Sequence, residues 1–283
     1  MSWIESIRTR FHPLWHIRRT PWLHAIVTRF DFPVWVNVPP VAMKIRVYWF
    51  RDLIWLFRSL PKEPAMLDVV EKLCRKFQPR VFWDVGANLG WYTWLVNART
   101  ELTRAVLIEP LPANLLLLNA TIARNQLTHM RVVRTAVADR IGKVDFMIDA
   151  KSGATSQLSE LYRSSPDCAI AHTYNLESEM QVDCTTLDQL IRDGEPVPDL
   201  IKLDVEEAEH LVFRGASELL TKRETIIVFE CHRREALDVL REHGYAVYAI
   251  DALHNFLALP PAIIDQAHDI TATLSPVYES AYA

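Results

Sequence analysis

From residue 80 onward, short β-branched apolar runs alternate with longer stretches whose apolar positions recur every three or four residues. That alternation predicts a mostly parallel sheet with helices on both of its faces. The first strand is Val81 to Val85, followed by a glycine-containing turn and a helix from about Gly90 to Asn97. Ala105 to Ile108 is the second strand, and Pro112 opens a helix running to Asn125, at a position where a missing N–H does no harm. Val132 to Val137 reads as the third strand, and Lys143 to Ile148 as its hairpin partner after a turn at Gly142. Further strands are expected at Met180–Cys184, Leu200–Asp204, Thr225–Phe229, Ala246–Ile250 and Phe256–Leu259. The intervening helices fall at Thr186–Arg192, Glu207–Leu220 and Arg233–His243. Residues 150–180, rich in Ser, Ala and small polar residues, read as a long loop, of the kind that often forms a lid or a binding element.

Upstream the rhythm is weaker. Residues 1–30 mix aromatic and basic positions (Trp3, Arg8, Phe11, Trp15, Arg18, Trp22) in a loosely helical pattern broken at Pro13 and Pro21. Residues 31–38 read as extended chain, and residues 41–61 fit strand and helix equally well. Met66 to Phe77 carries apolar residues at helical spacing and stops before Pro79. This divides the chain into an extension, residues 1–60, and one α/β domain, residues 61–283, about as large as a single core grows.

The sharpest local signal is Asp84-Val-Gly86-Ala-Asn88-Leu-Gly90, which closes the first strand with two of the seven glycines in the chain. Glycine lets a turn adopt positive φ and lets backbone approach a ligand, and the following helix points its free N–H groups into the crevice above the strand ends. A dinucleotide fingerprint would need a second glycine where Asn88 stands, and Asp84 is a poor neighbour for pyrophosphate. An acid there suits the ammonium of a methionine moiety, so the turn favours S-adenosylmethionine. Glu109 ends the second strand, where a carboxylate can accept both ribose hydroxyls, although nicotinamide enzymes use an acid at a similar place. Asp139, after the third strand, is placed to meet an adenine edge; a solvated hairpin aspartate fits the same pattern.

Charge refines the picture. The formal net charge is −4, yet residues 1–60 hold nine Arg or Lys against three Asp or Glu, and six of the nine tryptophans. The basic aromatic start admits peripheral membrane contact through residues 1–60, or packing over the open side of the sheet and the substrate mouth. Lys44, Arg46, Arg51, Asp52 and Arg58 interrupt the best apolar stretch, so no spanning helix is expected, and the start lacks a signal-peptide pattern. These features predict a cytoplasmic protein, with the membrane surface as an alternative location. The acidic remainder lacks the basic track that nucleic acid requires. Cys74, Cys168, Cys184 and Cys231 show no paired spacing and read as buried free thiols.

The stretches FWDVGANLGWYT, LIEPLPANLLLLNATIARN, TAVADRIGKVDF, TTLDQL, PDLIKLDVEEAEHLVFRGASELL and IIVFECH, in that order over about residues 80–250, resemble the FkbM-type methyltransferases. Those enzymes O-methylate hydroxyls, often on sugars or secondary metabolites. The resemblance implies a Rossmann-like class I methyltransferase fold with a mostly parallel seven-stranded sheet. It implies that Asp84, Gly86, Asn88, Gly90, Glu109 and Asp139 face the cofactor, and that the IKLDVEEAE and FECH stretches line the reaction centre. Ala87, Tyr92, Thr93, Asn114, Ala138 and Asp204 complete the candidate cofactor set taken from these stretches. One position departs from the family's IDVEGAE pattern: its glycine is Glu207 here, a bulkier residue expected to narrow the pocket or alter substrate choice.

Methyl transfer to a hydroxyl requires alignment of donor and acceptor and removal of a proton. Lys202 and Asp204 share one face of a strand, as do Glu230 and His232 at the end of a neighbouring one. The expected base is Asp204 or His232, with Glu230 orienting His232 or the acceptor and Lys202 beside them. Glu206 and Glu209 are expected in the first turn of the next helix, where acids also serve simply as caps. Asp204, Glu206 and Glu230 have the oxygen chemistry to hold Mg²⁺, though nothing in their spacing demands it. The expected activity is O-methylation of a small-molecule or glycan hydroxyl, with residues 150–180 as a lid. A nicotinamide oxidoreductase on a similar sheet and a non-catalytic membrane-surface module are the alternatives.

Overall fold

The computed structural model describes residues 26–37, 41, 43–52, 63–148, 156–164, 178–252 and 254–277. The aromatic and basic residues of the first 25 positions, Cys168, and most of the expected 150–180 lid lie outside the described residues. In chain order the elements are β1 (Pro33–Asn37), β2 (Lys44–Tyr48), α1 (Pro64–Phe77), β3 (Val81–Val85), α2 (Trp91–Asn97), β4 (Arg104–Ile108), α3 (Pro112–Arg124), β5 (Met130–Val133), β6 (Ala136–Val137), β7 (Gly142–Ile148), β8 (Gln157–Leu158), α4 (Ser159–Ser164) and β9 (Ser178–Thr185). They continue as α5 (Leu187–Arg192), β10 (Leu200–Leu203), α6 (Glu209–Arg214), α7 (Ser217–Lys222), β11 (Ile226–Glu230), α8 (Arg234–Glu242), β12 (Ala246–Ala249), β13 (Asn255–Leu259), α9 (His268–Thr271) and β14 (Ser275–Pro276).

The main sheet is Rossmann-like, with strand order β14-β12-β13-β11-β10-β3-β4-β5. Strands β11, β10, β3, β4 and β5 run parallel, whereas β13, β12 and β14 are added by antiparallel pairing. Eight strands, three of them joined antiparallel, replace the seven mostly parallel ones expected. The chain winds outward from β3 through β4 to β5, then returns to β10 on the other side of β3. The carboxyl ends of β3 and β10 therefore flank a topological switch point, where open α/β sheets bind ligands.

Strands buried on both sides are rich in apolar residues, and β3, β4, β10 and β11 are so, with Asp84 in β3 and Lys202 in β10 as the buried charged exceptions. One face packs Met66, Val69, Val70, Leu73 and Cys74 of α1 with Leu95 and Val96 of α2. The other packs Leu187, Val212, Phe213, Leu219, Leu220, Leu237 and Leu240 from α5 to α8. The helix expected to start at Met66 opens at Pro64 and ends in a left-handed Gln78, just before Pro79.

Two expected elements divide. The strand expected over Val132–Val137 breaks at Arg134–Thr135: β5 stays in the main sheet while β6 joins a second sheet of order β6-β9-β7-β8. There β7 pairs antiparallel with β9 and β8, rather than forming a hairpin with the third strand. The helix expected over Glu207–Leu220 becomes α6 and α7, and Glu206 lies in the turn before α6. The chain bends at Gly215, where a Cβ would stand 2.3 Å from the carbonyl oxygen of Ala138. Asp188 then accepts from the N–H groups of Glu218 and Leu219 at 2.9 Å each, restarting the helix. Periodicity cannot register a contact of that kind with residues so distant in sequence.

Upstream, β1 and β2 form an antiparallel hairpin seated on α3. Ile45 and Val47 point into a core shared with Ala87, Trp94, Leu107 and Leu118. The Arg46 N–H donates to Thr121 Oγ1 at 3.0 Å, and Arg46 and Arg124 stack on the Trp35 ring. Asp31 caps the following turn by accepting from the N–H groups of Phe50 and Arg51. Here the Arg and Trp residues serve packing. Cys74, Cys184 and Cys231 are buried free thiols. No helix among the described residues is long and apolar enough to cross a membrane.

Ile45, 2 % exposed in this shared core, tests whether the hairpin belongs to the cooperative unit. Ile45→Ala is expected to cost roughly 2–5 kcal/mol by urea denaturation. An unchanged midpoint would show that the hairpin unfolds independently of the sheet.

Candidate active site

Strand β3 ends in a turn in which the N–H groups of Gly86 and Ala87 both donate to the Ile108 carbonyl at 3.0 Å. Gly86, Asn88 and Gly90 all have positive φ, at 76°, 48° and 75°. The glycines are required by close packing within the protein. A Cβ on Gly86 would stand 1.8 Å from the carbonyl oxygen of Asp204, and one on Gly90 would stand 2.6 Å from the Trp94 ring and 2.9 Å from Leu118. This differs from the expectation that both glycines serve approach to a ligand. Gly86 still borders the crevice, whereas Gly90 faces the core.

Glu109 follows β4 and is 4 % exposed. Its Oε2 accepts from the Asn88 N–H and its Oε1 from the Leu111 N–H, each at 2.8 Å. The carboxylate thus ties the glycine turn to the end of the neighbouring strand and keeps lone pairs for further donors. Burial pushes its pKa up to about 7, against the opposing pull of those N–H groups. Asp84 has a different office. It is 1 % exposed and its Oδ2 accepts from the Thr93 N–H at 3.1 Å and the Thr93 hydroxyl at 2.6 Å, securing the first turn of α2. Burial raises its pKa to about 6.

Above these strand ends lies a cavity of about 60 Å³, bordered by Gly86, Asn88, Glu109, Thr135–Val137, Phe146, Leu158 and the segment Asp204–Glu206. Its walls combine apolar faces with three carboxylates, and no Lys, Arg or His borders it among the described residues. Asn88 Oδ1, buried nearby, has no hydrogen-bond partner. Of the expected cofactor residues, Gly86, Asn88, Glu109 and Asp204 meet here. Ala87, Gly90, Tyr92, Thr93 and Asn114 are packed behind the turn, with Asn114 Oδ1 accepting from Arg51 at 2.9 Å. Ala138 abuts Gly215, and Asp139 lies outside the cavity wall, 4.0 Å from Arg140.

Beside the cavity, the buried Lys202 donates to Asp204 Oδ2 at 2.8 Å and sits 5.0 Å from the Tyr92 ring centre. Asp204, Asp84 and Glu63 hold the ammonium well above its usual pKa despite burial. Glu63, at the entry to α1, accepts from the Tyr92 hydroxyl at 2.6 Å, and burial raises its pKa. Sequence reading missed Glu63: it stands alone before Pro64, far from every motif, and only the packing of α1 beside α2 brings it in. Burial, with Asp204, Glu230 and Glu209 close by, pushes the Glu206 carboxyl far up; Glu209 rises to about 8, chiefly by burial. Among the described residues no three His, Cys, Asp or Glu side chains are grouped to hold a metal ion. The acids gather around Lys202 instead, so the Mg²⁺ allowed from Asp204, Glu206 and Glu230 is not carried forward.

At the end of β11, His232 Nε2 lies 3.3 Å from Glu230 Oε1, and this hydrogen bond raises the imidazole pKa against partial burial. Glu207 does not border the cofactor cavity. Its carboxylate accepts from Arg233 Nη2 at 2.9 Å, linking the turn after β10 to the turn after β11. The expected narrowing of that pocket by Glu207 is therefore corrected.

A sequence profile described as the methyltransferase FkbM domain matches residues 84–253. The chain is 28 % identical over 214 residues to the hexuronic acid methyltransferase AglP of Haloferax volcanii, covering 75 % of this chain and 80 % of that one. It is 27 % identical over 192 residues to the 31-O-demethyl-FK506 methyltransferase FkbM of Streptomyces tacrolimicus, covering 60 % and 74 %. The crystal structure of a methyltransferase FkbM from Methylobacillus flagellatus superposes with a TM-score of 0.44 at 17 % identity, over 64 % of this chain and 43 % of that one.

Glu109 gives a signed pH prediction. A carboxyl raised from 4.5 to about 7 on folding stabilises the fold fully below its unfolded pKa, and that contribution disappears as pH rises through the folded value. The stability of the native chain minus that of Glu109→Gln is expected to fall by on the order of 3 kcal/mol between pH 4.5 and 8. Urea denaturation across that range measures it, and a flat difference would mean that Glu109 is already charged at pH 5.

Proposed function

Because the chain belongs to the FkbM methyltransferase family, we propose that it moves a methyl group from S-adenosylmethionine to a hydroxyl of a sugar, glycan or secondary metabolite. Family membership displaces both the nicotinamide oxidoreductase and the non-catalytic module. The observation carrying the cofactor assignment is the composition of the cavity wall: apolar faces, three carboxylates and no basic residue among those described. A dianionic pyrophosphate is repelled by such a wall, while a cationic nucleoside is attracted to it.

The residues fit that molecule. Ile108, Val137, Phe146 and Leu158 offer apolar surface for a base, and Glu109 offers lone pairs to ribose hydroxyls. Asp204 borders the same cavity and supplies negative charge for an ammonium, Glu206 adds carboxyl oxygens beside it, and Asn88 Oδ1 is an acceptor awaiting a donor. S-adenosylmethionine supplies an electrophilic methyl on a sulfonium. Lys202 fixes the Asp204 carboxylate by a buried ion pair and offsets part of the surrounding negative charge.

Proton removal from the acceptor falls to His232, positioned by Glu230. A carboxylate hydrogen-bonded to one ring nitrogen fixes the imidazole and leaves the other nitrogen to take a proton. The other expected base, Asp204, is engaged by Lys202. Both relatives named above are methyltransferases, one for a hexuronic acid and one for a demethylated FK506. This supports an oxygen acceptor on a small molecule or glycan.

Isothermal titration is expected to show binding of S-adenosylmethionine and S-adenosylhomocysteine but not of NAD, with Glu109→Ala weakening it by about 1–3 kcal/mol through lost charge-assisted hydrogen bonds. Equal affinity for NAD would overturn the cofactor assignment. Turnover is expected to fall by about 10²–10⁴ in His232→Ala with the cofactor Kd preserved. The ascending limb of kcat against pH should move to lower pH in Glu230→Gln, because that carboxylate raises the imidazole pKa. A limb unmoved by the substitution would assign the base elsewhere.

A further inference from the structure

A second cavity, of about 190 Å³, opens on the β13 side of β11, across that strand from the cofactor crevice. It has room for more than one water, whose share of liquid volume is roughly 30 Å³. Leu237, Phe256 and Val277 form its apolar wall, and His232, Arg233, Arg234 and His254 bring basic side chains to it. The rings of His232 and His254 lie 4.6 Å apart between centres. The acids Asp238, Glu230 and Glu207 stand near these groups and each is engaged: Asp238, on the cavity wall, pairs with Arg241 at 3.1 Å, Glu230 bonds His232, and Glu207 accepts from Arg233. Arg233 gives Nη2 to Glu207, while its Nε is buried without a hydrogen-bond partner.

The two cavities are thus opposite in charge: acids surround the first, basic groups surround the second. Guanidinium groups present planar forks that match carboxylate and phosphate oxygens. A buried guanidinium N–H without an acceptor is costly, and a small rotation of Arg233 toward a bound anion would satisfy it. His232 borders this cavity too, so a molecule seated here has its edge beside the group that removes the acceptor proton.

We propose that this second cavity is the acceptor subsite and that it selects acceptors bearing a carboxylate or phosphate close to the hydroxyl that is methylated. The anion is gripped by Arg233, Arg234 and His254, the carbon skeleton rests on Leu237, Phe256 and Val277, and the hydroxyl is left facing His232. This rests on the methyltransferase reading above and adds the substrate class to it.

The full-length chain, saturated with S-adenosylhomocysteine, is titrated calorimetrically with glucuronate, glucose 1-phosphate, inorganic phosphate and glucose. At least one anionic sugar is expected to bind about tenfold or more tightly than glucose, as a charge-assisted contact should give. Tighter binding of glucuronate assigns a carboxylate, and tighter binding of glucose 1-phosphate than of free phosphate assigns a phosphate ester. In the double variant Arg234→Gln, His254→Asn the preference should shrink to about twofold, with S-adenosylhomocysteine affinity kept within about twofold. Asparagine is chosen because residue 254 has a φ of 66°, which it tolerates. Equal binding of glucose and both anionic sugars, no binding of any sugar, or a preference surviving the double substitution overturns the subsite. Failure to bind S-adenosylhomocysteine with the anion preference intact would instead remove the methyltransferase reading and leave the subsite standing.

Discussion

At Gly86 the backbone of one strand end lies against the carbonyl oxygen of Asp204 from the next, so close that a single added carbon would stand 1.8 Å from it. Everything in the site follows from this contact. It brings the carboxyl ends of β3 and β10 together at the place where the sheet reverses its winding. It also sets the glycine turn under Glu109, whose two oxygens then reach the Asn88 and Leu111 N–H groups. The turn is therefore rigid before any ligand arrives, and a rigid site loses less freedom on binding.

The electrostatic counterpart is Lys202. Carboxyls at Glu63, Asp84, Asp204 and Glu206 converge near one buried ammonium, and burial drives Glu63, Asp84 and Glu206 toward binding protons. Lys202 opposes this for Asp84, Glu63 and Glu206. A lysine on the β10 face thereby moderates the upward pull of burial on the carboxyls beside the cofactor cavity. The arrangement carries a stability cost, because buried like charges repel even with one cation among them. Segregating the basic side chains to the far side of β11 preserves that field, since none of them borders the acidic cavity.

Much of this could be read from the chain. The alternation of apolar runs located every parallel strand, and Glu109, Asp204, Glu230 and His232 stand near the carboxyl ends of theirs, as the spacing requires. What could not be read depends on contacts between distant residues. Glycine at 86 and 90 announces positive φ, but only coordinates show that Asp204, Trp94 and Leu118 occupy the space a side chain would need. Asp84 looks like a cofactor acid because of its motif, yet Thr93 claims its carboxylate. Glu63 carries no local signal, and the break between α6 and α7 is imposed by the backbone of Ala138. Of the hairpin at residues 33–48, the first strand is legible as extended chain, whereas the second, only five residues of apolar and basic alternation, fits strand and helix equally well.

Glu207 joins the two halves of the site. At Glu207, where the family pattern has glycine, the backbone is left-handed, with φ of 71°, at a strain of roughly 1–2 kcal/mol. Its ion pair with Arg233, both partners only part exposed, returns an amount of similar size, about 1 kcal/mol. Near balance explains how a side chain is tolerated there at all. What the exchange adds is a tie between the turn after β10, which borders the acidic cavity, and the turn after β11, which borders the basic one. The carboxylate fixes the guanidinium, and with it one wall of the second cavity, relative to the segment that faces the cofactor.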